Sequence, residues 1–103
     1  MRFEHAERFD ADVRRLSRRE QELFRTVVRE RFVPAAERVV AEPGAMWPRA
    51  LRIRRVEAAP GIWELTWSFA GPDGRATFEW IEIGGEAAIR WRRVGTHAVF
   101  RDP

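Results

Sequence analysis

Two short stretches in the second half of the chain concentrate arginine without any acidic residue. They are RALRIRR at 49–55 and RWRR at 90–93, with four and three arginines respectively. A guanidinium group stays charged at any working pH and can bind a phosphate through two parallel hydrogen bonds. Such clusters suit a face that binds a polyanion, and they suit equally a groove for an acidic partner.

Proton transfer in this chain has few possible sources. All 19 basic residues are arginine, and lysine, tyrosine and cysteine are absent. Because arginine is a poor proton donor, a proton must come from His, Asp or Glu. The chain has two histidines, and imidazole is the side chain whose unperturbed pKa lies close to neutral. His97 follows Gly95 and Thr96 at the predicted end of the last strand, whereas His5 has no such context.

Length and composition indicate one folded domain over residues 1–103. Hydrophobic residues make up 45% of the chain, enough for one core without disulfides. The absence of cysteine excludes disulfides, thiol catalysis and cysteine-based zinc sites. The apolar runs are too short to span a membrane, and the first ten residues lack the apolar region of a secretory signal. We therefore expect a cytoplasmic protein with no membrane association.

The first half of the chain has helical periodicity. Residues 9, 13 and 16 form one apolar stripe, and Ser17 with Glu20 forms a capping box that starts a second helix. Pro34 is expected to end or kink this helix, with a short extra helix over 35–41. Residues 2–6 could form an edge strand. The apolar face of the second helix is predicted from Leu23, Phe24, Val27, Val28 and Phe32.

The second half alternates as strands do. A basic strand is predicted through 51–55, followed by strands near 62–69, 75–80 and 87–94, with turns at Pro60-Gly61, at 72–74 and at Gly84-Gly85. Helices followed by consecutive hairpins predict an α+β fold. We expect two to three N-terminal helices packed on a twisted antiparallel sheet of about four strands.

This order of elements resembles the RelE/ParE superfamily of bacterial type II toxins, over nearly the whole chain. The residues that carry the resemblance are RFDADVRRL at 8–16, LRIRRVEAAPGIWEL at 51–65, GRATFEW at 74–80 and IRWRRVGTHAVFR at 89–101. The resemblance implies a toxin blocked by an antitoxin from the same operon. Most members of the superfamily cleave mRNA on the ribosome, and a smaller branch poisons DNA gyrase and cleaves nothing.

Three hypotheses about function follow. The first is a metal-independent endoribonuclease (an mRNA interferase) that needs no cofactor and has the ribosome, mRNA and an antitoxin as partners. The second is a gyrase-binding toxin without catalysis. The third is a basic RNA-binding domain unrelated to toxins, which would lack a neutralising partner encoded next to it.

The nuclease hypothesis assigns roles to particular residues. Arg75 matches an arginine of the superfamily and is the candidate cation for the reacting phosphate, although it could simply pair with Asp73 or Glu64. His97 is the candidate general acid or base. Glu64 could act as the base or orient the other two, and could also be a solvated strand residue or form a salt bridge. The candidates for binding RNA phosphates or bases are Arg52, Arg54, Arg55, Arg92, Arg93, Arg101 and Phe100.

The alternation of the predicted basic strand limits how these arginines combine. Arg52 and Arg54 fall on one face and Arg55 on the other, so the three cannot all contact one ligand. The chain also departs from the superfamily, because many nuclease members use lysines or a C-terminal tyrosine in the site. This chain has neither, so the nuclease hypothesis depends on arginine, histidine and glutamate.

Overall fold

The backbone is built around one sheet, seen in a computed structural model that describes residues 1–68, 73–96 and 98–103, except for the side chains of Ala98 and Phe100. The strands within this part of the chain run in the spatial order β1-β5-β4-β3-β2. β1 is parallel to β5, and the other neighbours are antiparallel. The strands are β1 (Phe3–His5), β2 (Arg54–Arg55), β3 (Ile62–Ser68), β4 (Gly74–Ile83) and β5 (Glu86–Gly95).

The predicted α+β class is confirmed, but the predicted sheet of about four antiparallel strands is wrong. The short N-terminal strand that the sequence suggested over 2–6 adds a fifth strand and makes the sheet mixed. The helices and then β2, β3 and β4 separate β1 from β5 in the chain, and this long connection lets β1 lie parallel to its neighbour β5.

The helices follow the predicted order. They are α1 (Glu7–Arg15), α2 (Arg18–Val27), α3 (Val33–Ala41) and α4 (Ala98–Arg101). The capping box is confirmed: the Ser17 hydroxyl accepts from the Glu20 amide, and the Glu20 carboxylate accepts from the Ser17 amide. Within the described ranges, no helix is both long enough and apolar enough to cross a membrane.

Pro34 does not end the helix, contrary to one of the two predicted outcomes. A π-helical turn over Val28–Phe32 joins α2 to α3, and the Val33 amide donates to the Val28 carbonyl. Proline lacks an amide proton and its ring crowds the carbonyl four residues earlier. The wider π turn just before Pro34 accommodates the ring, and Pro34 then lies at the start of α3, where a missing amide proton is tolerated.

Aromatic residues form the core between the helices and one face of the sheet. Phe32 is fully buried, with its ring centroid 5.0 Å from those of Phe78 and Trp91. Trp47, in the loop after α3, stacks on Phe32 at 5.7 Å. The sequence placed Leu23 in the same buried stripe, but 42% of its surface is exposed.

The predicted basic strand through 51–55 is mostly not a strand. Residues Arg49–Leu51 form a 3-10 turn anchored by the buried Leu51, and Arg52 is left-handed with φ 47°. Only Arg54 and Arg55 pair with β3. The alternation of apolar and basic residues arises from the buried Leu51 followed by a change of chain direction. A pattern that repeats every two residues does not distinguish this arrangement from a strand.

The hairpin between β4 and β5 forms as predicted. Ile83 pairs with Glu86 across a two-residue loop, and both loop glycines have positive φ, 61° and 82°. That conformation is the one that matches the twist of the flanking strands and favours glycine at both positions. The hairpin fixes the register that brings the arginines of β5 alongside β4.

Candidate functional site

The face of the sheet turned away from the core carries the candidate site. Trp63, Leu65 and Trp67 pack into the core from β3, so Glu64 and Thr66 between them point to the opposite face. The sequence predicted this alternation but not the burial: Glu64 and Thr66 are 2% and 1% exposed. Buried polar groups are costly unless they are paired, so their partners decide what this face can do.

Glu64 is the centre of a group of charges that we call the Glu64 cluster. Its Oε1 accepts a short hydrogen bond from Nε of Arg54 on β2 and lies 3.8 Å from Nη1 of Arg75 on β4. Its Oε2 is buried and has no hydrogen-bond partner among the described residues. The cluster comprises Arg52, Arg54, Glu64, Asp73 and Arg75.

Asp73 holds the other side of Arg75. Its Oδ2 lies 3.5 Å from Nη2 of Arg75 and 4.0 Å from Nη1 of Arg52. Arg75 is mostly buried, with 12% of its side chain exposed, whereas Arg52 and Arg54 are 60% and 66% exposed. The cluster therefore holds three guanidinium groups and two carboxylates. The guanidinium of Arg75 is held in place, and the other two reach into solvent.

Arg55 does not join the Glu64 cluster. It pairs with Trp63 across the strands, and its guanidinium carbon lies 5.2 Å from the centroid of the Trp63 ring. Arg54 and Arg55 thus point to opposite faces, as the alternation predicted. Arg101 is exposed on α4. Neither Arg55 nor Arg101 is brought to Glu64 by any contact that the structure records.

Arg92 and Arg93 form a second group of charges farther along the same face. Phe78 pairs with Trp91 and Thr77 pairs with Arg93, so Arg92 is an extra residue in β5. Such a bulge re-aims side chains. Arg92 donates to Glu79 at 2.7 Å, and Arg93 donates to both oxygens of Asp12 on α1, at 2.7 and 3.2 Å.

The segment Asp102–Pro103, called here the tail, lies against these arginines. The backbone oxygen of Pro103 accepts from Thr77 Oγ1 at 3.3 Å and from Arg92 Nε at 3.0 Å. The backbone oxygen of Asp102 accepts from Arg93 Nη1 at 2.8 Å. The carboxylate of Asp102 pairs with Arg8 on α1.

Two groups of this second set have shifted pKa values. The hydrogen bond from Arg8 is the main cause that lowers the pKa of the Asp102 carboxyl below its ordinary value, and the charges of Arg8, Arg93 and Arg92 act in the same direction. The same hydrogen bond raises the pKa of Arg8. Both groups are solvent-accessible, so the pair holds the tail in place without contributing much to stability.

Sequence reasoning identified part of this arrangement. The structure brings together three of the candidate residues, Arg54, Glu64 and Arg75. His97 lies outside the described residues, and so does the side chain of Phe100. The site geometry given above therefore does not include them. Sequence reasoning missed Asp12 and Thr77. The only indication in the sequence was that Asp12 is an acidic residue among the apolar positions of α1.

The described residues form no metal site beside this cluster, and comparison with known proteins gives no match. The described ranges contain no group of three or more His, Asp or Glu residues that could hold a metal ion. No protein-family model, curated protein or solved structure matches the chain.

Proposed function

We propose that the chain is a type II toxin of the RelE/ParE kind that cleaves mRNA on the ribosome, in the cytoplasm, and is neutralised by an antitoxin from the same operon. The observation that carries the proposal is the buried Glu64 carboxylate, with Arg54 and Arg75 on Oε1 and, among the residues that the structure describes, no hydrogen-bond partner on Oε2. A purely structural ion pair would satisfy both oxygens, because an unsatisfied buried acceptor costs about 1–3 kcal/mol. Unsatisfied buried groups of this kind are candidates for catalysis.

The chemistry that fits this cluster is attack of a ribose 2′-oxygen on the adjacent phosphorus. Glu64 takes the proton from the 2′-hydroxyl as general base. The new P–O2′ bond forms while the P–O5′ bond breaks, which leaves a 2′,3′-cyclic phosphate and a 5′-oxygen that needs a proton. His97 is the proposed donor of that proton.

Arg75 supplies the charge that this reaction needs. Negative charge grows on the non-bridging phosphate oxygens in the transition state, and a preorganised cation stabilises it. Asp73 and Glu64 flank Arg75 and hold its guanidinium at the surface of the sheet. Arg54, two-thirds exposed, covers Glu64; its movement onto the substrate phosphate would uncover the carboxylate.

The test is to map RNA 5′ ends in cells after brief induction of the wild type and of Glu64→Gln, Arg75→Gln and His97→Ala. The wild type should give cuts at in-frame codon positions. Glu64→Gln keeps the shape but removes the base, so cutting should fall by about a hundredfold or more. Glu57→Gln is the matched control, because Glu57 is an exposed glutamate that lines the same pocket as Arg54 and Glu64, and it should cut as the wild type does.

Other outcomes point to the other two functions. Growth arrest without cuts would contradict the nuclease and favour the gyrase-binding toxin. RNA binding with neither arrest nor cuts would favour a basic RNA-binding domain. Cuts that persist unchanged in Glu64→Gln would show that the general base is another residue.

A further inference from the structure

The tail is held by donors that would also suit the oxygens of a phosphate. Thr77 and Arg92 both donate to the Pro103 backbone oxygen, and Arg93 donates to the Asp102 backbone oxygen. Three hydrogen bonds from two guanidinium groups and a hydroxyl thus converge on two neighbouring oxygens. Guanidinium and hydroxyl donors around adjacent oxygens are the usual ligands of a phosphodiester.

The arginines of this set are held by carboxylates on their far sides. Asp12 accepts from Nε and Nη2 of Arg93 and from the Val94 amide, which leaves Nη1 directed at the tail. Glu79 accepts from Nη1 of Arg92, while Nε of Arg92 reaches Pro103. Asp12 is 5% exposed, so the position of Arg93 is fixed from within the fold.

Asp102 adds a negative charge where a ligand phosphate would add one. Its carboxylate pairs with Arg8, and the charges of Arg92 and Arg93 also act on it. Without Asp102, the three guanidinium groups exceed the two carboxylates, Asp12 and Glu79, by one charge. The tail therefore supplies both the acceptor oxygens and the counter-charge of a bound anion.

We propose that Arg8, Thr77, Arg92 and Arg93 form a subsite for an RNA phosphodiester, and that the tail occupies this subsite until RNA displaces it. The proposal deepens the proposed function and rests on it, because RNA is taken as the ligand. Thr77 pairs with Glu64 across β3 and β4, so the subsite adjoins the Glu64 cluster. A strand bound there would place one phosphate at Arg75 and a neighbouring phosphate at Arg92 and Arg93.

The test measures the binding of a short single-stranded 2′-O-methyl RNA, which lacks the attacking hydroxyl, by fluorescence anisotropy at fixed salt. Asp102→Arg should release the tail and tighten binding by about fivefold or more, since tail and RNA compete for the same donors. Glu86→Arg is the control. It makes the same change of charge at the exposed opposite end of β5 and should tighten binding much less. Asp102→Asn removes only the charge, and its effect should lie between those of the wild type and Asp102→Arg.

A second comparison tests the arginines, in the Asp102→Arg background. Arg92→Gln should lose most of the gain, whereas Arg90→Gln should keep it. The two residues are matched: their side chains are 39% and 40% exposed, and each pairs with one glutamate. Of these two residues, Arg92 alone contacts the tail within the described part of the chain.

Several results would overturn the subsite. One is an Asp102→Arg variant that binds RNA no more tightly than Glu86→Arg. Another is equal losses for Arg92→Gln and Arg90→Gln. If inorganic phosphate saturates Asp102→Arg under conditions in which the RNA does not bind, the subsite takes the free ion and the assignment to RNA is wrong. Because the RNA used is uncleavable, these results are independent of whether the protein cuts mRNA in cells.

Discussion

Glu64 on β3 lies directly opposite Thr77 on β4. Directly paired side chains on one face of a sheet have Cβ atoms about 5 Å apart. This pair therefore joins the Glu64 cluster to the donors that hold the tail, and the two groups of arginines form one continuous polar surface.

Thr66 and Thr77 offer a matched test of a buried hydroxyl on this surface. Both are almost fully buried, but Thr77 donates to Pro103 while the Thr66 hydroxyl has no hydrogen-bond partner among the described residues. Thr77→Val should lower the free energy of unfolding by about 1 kcal/mol, and Thr66→Val should leave it unchanged or raise it. Urea denaturation measures both. Equal losses would show that the tail contact contributes nothing.

Asp12 is predicted to be the main electrostatic anchor between α1 and the sheet. It is 5% exposed and accepts from Arg93 twice and from the Val94 amide. Asp12→Ala leaves the mostly buried Arg93 without this partner, so it should lower the free energy of unfolding by about 3 kcal/mol. Asp10→Ala, at an exposed position on the same helix, should change it by less than about 0.5 kcal/mol. A small loss for Asp12→Ala in chemical denaturation would contradict the anchor.

Gly74 is predicted to be required by the indole of Trp67. A Cβ at Gly74 would lie 2.6 Å from the Trp67 ring, closer than packed atoms can approach. Gly74→Ala should therefore destabilise the fold by about 1–3 kcal/mol. Trp67→Phe removes part of the ring, so the double variant should lose less than the sum of the two single variants. Additive losses in a double-mutant cycle would mean that the contact does not limit position 74.

The pKa of Asp102 gives a direct measure of tail docking. Its ordinary value is 3.8, and the Arg8 hydrogen bond lowers it in the folded protein. A lowered carboxyl pKa means that the docking contribution is fully present above the ordinary value and is lost as the pH falls through the lowered one. An NMR titration of the Asp102 carboxyl carbon should give a midpoint below 3.8, and Arg8→Gln should move it upward. Arg14→Gln, exposed on the same helix, should not move the midpoint.

Sequence rules correctly predicted the features that depend on residues close together in the chain. The Ser17–Glu20 capping box and the Gly84-Gly85 hairpin each depend on residues within three positions of one another, and both form as predicted. The structural alternative for Arg75 was a pairing with Asp73 or Glu64, and both contacts are observed. That pairing follows from the hairpin register, which the alternation of β3 and β4 largely determines.

The missed features depend on residues far apart in the chain. Asp12 and Arg93 are separated by 81 residues, and no spacing rule connects them. The bulge at Arg92 shifts the register of β5 against β4, which the alternation of residues within β5 does not indicate. Arg52 was expected to extend a strand, but the burial of Leu51 turns the chain there and leaves Arg52 left-handed. In each case tertiary packing overrides a local preference.

The parallel pairing of β1 with β5 has a consequence for how the protein is made. Phe3 pairs in register with Ile89, whose amide donates to the Arg2 carbonyl, so β1 finds its partner only after β5 has been synthesised. Contacts between such distant positions raise the contact order and slow folding. The polar surface, which needs β5 for Arg92 and Arg93, therefore cannot assemble on a partly made chain. For a protein proposed to act on ribosomes, this delays activity until β5 has been synthesised.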